Sequence, residues 1–239
     1  MMEIDVKKVF DEAIAPWPEA RWACCELDFS SWKKDYNYGL FVYAPYDELM
    51  TLRKYDEKKQ FALRCRLFDR VHEIGRAVEK AAKAAGIPFL VPPGSRDHMS
   101  LPYMSTLSNK YLGVRSGVGW IGKNDLLITY EYGPRIWTFG AVFRADHMDV
   151  KKPVAKSECG DCDLCIRSCP YKNFTGNTWH DGVPREDLVN YHNCSMKRFL
   201  LGQRLHLDRK FMCARCLLAC PHGQDRIREV AAQYEKEAK

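Results

Sequence analysis

Leu63, Leu67, Val71, Ile74 and Val78 recur at steps of three and four, the spacing of one buried helix face, and Gly86 with Pro88 supplies the stop. Ahead of that helix, Ile4, Phe10 and Ile14 share a face among charged residues and predict a surface helix at the N-terminus. "WACCELDF" and "GLFVYA" are short, aromatic and β-branched runs bounded by turn formers, which predicts two strands. "IPFLV" predicts a buried strand after the long helix. A loop "PPGSRDHMS", a helix near Met104 to Val114, and the strands "DLLITY" and "IWTFGAVF" follow. Helices and strands interleave, so the first region reads as a layered α/β or α+β domain. The charged stretch "DVKKPVAKSE" has little to bury and marks a boundary, giving domains at 1–150 and 151–239. The second ends in a charged helix, "QDRIREVAAQYEKEAK".

The 239 residues suffice for one large domain or a medium one with a small companion. Hydrophobic residues at 46% and charged residues at 28% are ordinary for a globular chain, which argues against disorder. The N-terminus lacks the basic-then-apolar order of a secretory signal, and "AAKAAGIPFLVPPG" is too broken to span a bilayer. The expectation is a cytoplasmic protein with no membrane contact. A net charge of +6 fits a solvated surface as well as a polyanion site. Locally, Lys197, Arg198, Arg204, Arg209 and Lys210 gather against Asp208, a patch that could meet RNA or an acidic protein.

Eleven cysteines in a reducing compartment favour metal over disulfides. Cys24, Cys25 and Cys65 stand among apolar neighbours and read as core residues. The other eight fall in the last third. "CGDCDLCIRSCP" is C-x2-C-x2-C-x3-C-P, the ferredoxin spacing for a cubane iron–sulfur cluster, in which the fourth cysteine serves the neighbouring cluster. "CARCLLACP" supplies a second, shorter run, and the lone Cys194 completes it. The spacing assigns one 4Fe-4S cluster to Cys159, Cys162, Cys165 and Cys220, and the other to Cys169, Cys194, Cys213 and Cys216. The competing assignment is a pair of four-thiolate zinc sites, which does not require a triple of that spacing.

Gly117, Gly119 and Gly122 crowd one short stretch, "RSGVGWIGKNDLLITYEYGPR", directly before a strand. They free the backbone to approach something closely: a flat or phosphate-bearing ligand, or a packed neighbour in a tight turn. The order is not that of a dinucleotide fingerprint.

"GVRSGVGWIGKNDLLI", then "CGDCDLCIRSCP", a lone cysteine and "CARCLLACP", resembles the epoxyqueuosine reductase family, in matching order over roughly Met104 to Gly223. The resemblance implies an α+β protein: a nitroreductase-like α/β layered domain that binds cobalamin, followed by a bacterial ferredoxin-like double-cluster domain, a plan shared with reductive dehalogenases. It implies an oxidoreductase whose two 4Fe-4S clusters take electrons from a low-potential donor and reduce the corrinoid, with Gly117, Gly119, Trp120, Gly122, Lys123 and Asn124 along the cofactor. Flavin is the alternative occupant of such a fold. The substrate would be a small molecule or modified nucleoside, and tRNA is carried over as a candidate partner from longer members that append a helical-repeat region.

Two departures bear on chemistry. Where those reductases carry the aspartate of an Arg-Asp-Tyr-His stretch, "RLFD" places Leu67, which cannot donate a proton. Asp69 or a tyrosine, Tyr103 first and then Tyr130 or Tyr132, would have to substitute. Asn109 and Lys110 stand where the reductases have a Glu-Arg pair. Asp97 and His98 lie in a turn and could face a substrate. The alternative function is a non-enzymatic, ferredoxin-type electron carrier that docks a partner protein.

Overall fold

The computed structural model describes residues 4–93, 106–207 and 213–237. Tyr103, Asp97, His98, Asp208, Arg209 and Lys210 lie outside the described residues. Helices and strands are mixed throughout, as the α+β reading expects. The chain forms two compact units, the first from 1–44, 68–118 and 137–153, the second from 45–67, 119–136 and 154–239. Among the described residues no helix is long and apolar enough to cross a membrane.

The first unit is built on a sheet of order β1-β2-β6-β3, with β1 at Arg21–Glu26, β2 at Tyr38–Pro45, β3 at Phe89–Leu90 and β6 at Ile136–Phe143. β1 and β2 run antiparallel, Arg21 opposite Tyr43 and Glu26 opposite Tyr38. All eight residues of β2 are buried, so both faces of this central strand are covered and the sequence shows no alternation there. "IWTFGAVF" is β6 in full. "IPFLV" yields only the two residues of β3, half-buried and paired with β6 through Phe89 opposite Phe143. Pro88 lacks the N–H a longer ladder would need, and Pro92 bounds the other side.

Helix α1, Val6–Ile14, starts where the Asp5 side chain accepts from the Lys8 N–H at 2.9 Å, and it buries Val6, Phe10 and Ile14. Ile4 falls before the cap and is exposed, because the helix begins too late to carry it inward. Phe10 meets Trp22, Phe89 and Phe143 at ring separations of 5.4, 6.3 and 5.2 Å, all edge to face. The long helix α2, Glu57–Ala84, buries Leu63, Leu67, Val71, Ile74 and Val78 as their spacing requires. α3, Asn109–Arg115, is capped by Ser108. Cys24 and Cys25 are buried in β1, and burial pushes their thiols up to about 12 and about 11, so they remain protonated core residues; Cys65 is half-buried.

The second unit holds a hairpin of β4, Gly119–Ile121, and β5, Leu127–Thr129, paired Gly119 to Thr129 and Ile121 to Leu127. β4 lies where the sequence suggested a loop, since three buried residues bracketed by glycines carry too short a pattern to read as a strand. The remaining elements are α4, Leu164–Arg167; α5, Tyr191–Arg204; α6, Arg215–Ala219; and α7, Gln224–Glu237.

Candidate metal centre

The first cysteine run is shaped by short turns. The Cys162 N–H donates to the Cys159 carbonyl at 3.1 Å, Gly160 between them takes a left-handed φ of 51°, and α4 then carries Cys165 inward. The Cys169 N–H closes the helix end on Ile166 O at 3.2 Å. Asn190 caps α5 by accepting from the Asn193 N–H at 3.0 Å, which fixes Cys194 in its first turn. α6 separates Cys216 from Cys220 and packs against α4.

The electrostatic neighbours of the thiols fall into two groups. Cys165 feels Cys159, Cys220 and Cys162, and Cys220 feels Cys159 and Cys162. Cys213 feels Cys194 and Cys169, while Cys216 feels Cys213, Cys194, Cys165 and Cys169. Cys165 with Cys159, Cys162 and Cys220 makes one group and Cys213 with Cys194 and Cys169 another, with Cys216 in reach of both. All eleven cysteines are free. Burial first, and mutual repulsion among the thiols after it, pushes Cys165 and Cys220 up to about 11; for Cys220 a backbone N–H and Arg135 oppose the rise. Cys216 is raised well above its usual range by the same causes. Among the described residues no three His, Cys, Asp or Glu side chains are close enough to hold a single metal ion.

Around the first group the chain supplies cations and N–H donors. Arg135 is 1% exposed; its guanidinium donates to Leu218 O at 3.0 Å, Cys220 O at 2.8 Å and His222 O at 3.0 Å. Burial lowers it only to about 10, so it stays charged at neutral pH. Lys123, also buried, donates to Gly160 O at 2.7 Å and Cys162 O at 3.2 Å. Asn124 donates to Cys216 O at 3.3 Å. Asp125, at a left-handed φ of 56°, accepts from Arg185 Nε at 2.7 Å. Arg135, Lys123 and Asn124 thus tie the hairpin region to the cysteine loops through backbone carbonyls.

Trp120, 2% exposed, forms a buried cluster with Ile128 and Cys220, against which Leu126, Val154 and Cys159 pack. Its indole Nε1 has no hydrogen-bond partner, nor has Arg135 Nε, nor the buried hydroxyl of Tyr55, which lies within electrostatic reach of Cys213. Each such orphan costs about 1–3 kcal/mol. A sulfide-rich, anionic cluster bound by the thiolates would supply the missing acceptors, and its iron would favour the deprotonated sulfur that burial alone disfavours. The donor set therefore fits two 4Fe-4S clusters. When bound, they supply one-electron transfer.

The glycines meet the protein itself. A Cβ on Gly119 would lie 2.0 Å from Ile128 O across the hairpin, one on Gly122 would lie 2.9 Å from Asn124 Oδ1, and one on Gly117, at φ 68°, would lie 2.7 Å from Lys152 O. Lys123 and Asn124 are engaged on carbonyls of the cysteine loops. A further close crossing went unread in the sequence: a Cβ on Gly133 would lie 2.0 Å from His222 O. "YGPR" and "PHGQ" each show only a turn; nothing in either names the other as its neighbour.

The other candidates are dispersed. Asp69 is exposed on α2, and Leu67 is 3% exposed. Tyr130 is 55% exposed; burial of its hydroxyl and the Glu158 carboxylate it donates to, at 2.7 Å, push it up to about 12. Tyr132 is fully buried.

Residues 158–223 match the 4Fe-4S double cluster binding domain. Epoxyqueuosine reductase of Listeria monocytogenes is 31% identical over 121 residues, 49% of this chain and 30% of that protein. An epoxyqueuosine reductase solved with an epoxyqueuosine-modified tRNA-Tyr stem loop superposes with a TM-score of 0.58 at 14% identity, covering 93% of this chain and 67% of its own. A reductive dehalogenase whose structure was read for B12-dependent dehalogenation gives 0.61 at 15%, covering 90% and 34%. The chain spans about a third of the length of the curated relatives it matches. The chain thus carries a 4Fe-4S double cluster binding domain and is similar, over about half its length, to the epoxyqueuosine reductases.

Proposed function

We propose that the protein is an iron–sulfur redox enzyme in which Cys159, Cys162, Cys165 and Cys220 hold one 4Fe-4S cluster and Cys169, Cys194, Cys213 and Cys216 the other, passing electrons from a low-potential donor to an acceptor in the first unit. One observation carries the reading. Eight thiols from three separate stretches form two adjoining groups, with Cys216 in reach of both, and unpaired N–H and O–H donors lie beside them. Lys123, Asn124 and Arg135 position the loops by their carbonyls. Thiols of this kind persist in a reducing compartment, which supports a cytoplasmic site.

Cobalamin is the acceptor we favour, on the likeness to a dehalogenase described as B12-dependent, with flavin as the alternative. A modified nucleoside of tRNA is the substrate suggested by the relative solved with such a stem loop. The test is anaerobic reconstitution, then cobalamin titration under a low-potential reductant. About eight iron and eight sulfide per chain, followed by the spectrum of reduced corrinoid, is the expected result; iron without cobalamin binding removes the corrinoid.

A second reading, an electron carrier without catalysis, is favoured by Leu67: a buried leucine supplies no proton where an acid is expected, and Asp69 faces solvent. It predicts rapid electron transfer to an added acceptor protein and no turnover of epoxyqueuosine.

A further inference from the structure

The orphaned donors lie unevenly. Trp120 Nε1 and Arg135 Nε are both fully shielded from water, and both side chains lie against Cys220, one through the buried cluster it shares with that cysteine and the other through the 2.8 Å bond to its carbonyl. A tryptophan used only to fill space would leave its N–H at a protein acceptor or at the surface, since an unmet donor is costly and a phenylalanine would pack there without one. Arg135 keeps its Nε free while its two terminal nitrogens saturate three carbonyls. Both facts are explained if the missing acceptors are sulfurs.

Resting on the cluster reading above, we propose that Trp120 and Arg135 are the hydrogen-bond donors to the cluster on Cys159, Cys162, Cys165 and Cys220, and that they hold its reduction potential up. Reduction adds one electron to the cluster and its sulfurs become more basic, so N–H donors stabilise the reduced form over the oxidised one. The buried Arg135 and Lys123 cations act in the same direction, in a region where water screens them little. The exposed carboxylates of Asp161 and Asp163 oppose them through solvent and weigh less. The set with Cys194 and Cys213 has its own orphan, the Tyr55 hydroxyl, while its guanidinium, Arg215, is half-exposed and stacks on the Tyr55 ring at 4.6 Å. Trp120 and Arg135 are positioning residues for electron transfer, local to one cluster.

The full chain, reconstituted anaerobically, is titrated electrochemically and followed by EPR, alongside W120F, which keeps a ring of similar shape and removes the N–H. One of the two cluster signals should become about tenfold harder to reduce, equal to about 59 mV for a one-electron couple, while the other stays in place. A potential unchanged in fully loaded W120F, or equal shifts of both signals, overturns the proposal. Should W120F fail to load, the wild-type chain with 15N-labelled tryptophan answers: pulsed EPR of the reduced protein should show a nitrogen coupling to one cluster, and its absence refutes the assignment. A chain that takes up no iron overturns the cluster reading and this inference together; full iron with no nitrogen coupling overturns this inference alone.

Discussion

The first unit is held by what it buries, the second by what it binds. β2 and β6 carry Leu40, Phe41, Val42, Ala141, Val142 and Phe143 with essentially no exposure, and Phe10 closes on them with three edge-to-face contacts. Around the cysteines the order comes from turns, caps and carbonyl bonds from Arg135, Lys123 and Asn124, with thiols clustered at a mutual electrostatic cost. An apolar core stabilises without help; a thiol cluster needs its metal.

Removing iron should separate the two units most sharply. With a chelator under reducing conditions, amide exchange protection across 159–220 is expected to collapse while that of β2 and β6 persists; uniform loss over both would erase the contrast. Phe10→Ala should act the other way, destabilising the first unit by about 3–5 kcal/mol in denaturant unfolding with the iron content unchanged. Arg135→Met removes a buried cation and three carbonyl bonds, and about 3 kcal/mol should be lost together with most iron from one cluster, read by EPR spin count. At the small end, Arg185→Gln removes the part-exposed partner of the buried Asp125, and about 1 kcal/mol is expected in the same unfolding measurement, with both clusters retained.

What the sequence conveyed depended on whether a feature repeats. Cysteine spacing and the three-and-four rhythm of α2 are periodic, so a double-cluster domain and a helix can be read from them. A glycine run says that something comes close without saying what; at Gly119 it is the Ile128 carbonyl of the same hairpin. Arg135 left no pattern, because arginine is ordinarily a surface residue and its burial is decided by carbonyls eighty-odd positions downstream. The burial of Leu67 follows from the helix face it shares with Leu63 and Val71.

Gly133 against His222 gives the cysteine-rich part an unusual dependence on distant sequence. An expression fragment starting at 154 would keep every thiol of the two sets yet leave behind Lys123, Asn124 and Arg135. This ferredoxin-like piece is not portable by a single cut. An engineer seeking a stand-alone version would have to graft the 119–136 hairpin onto it.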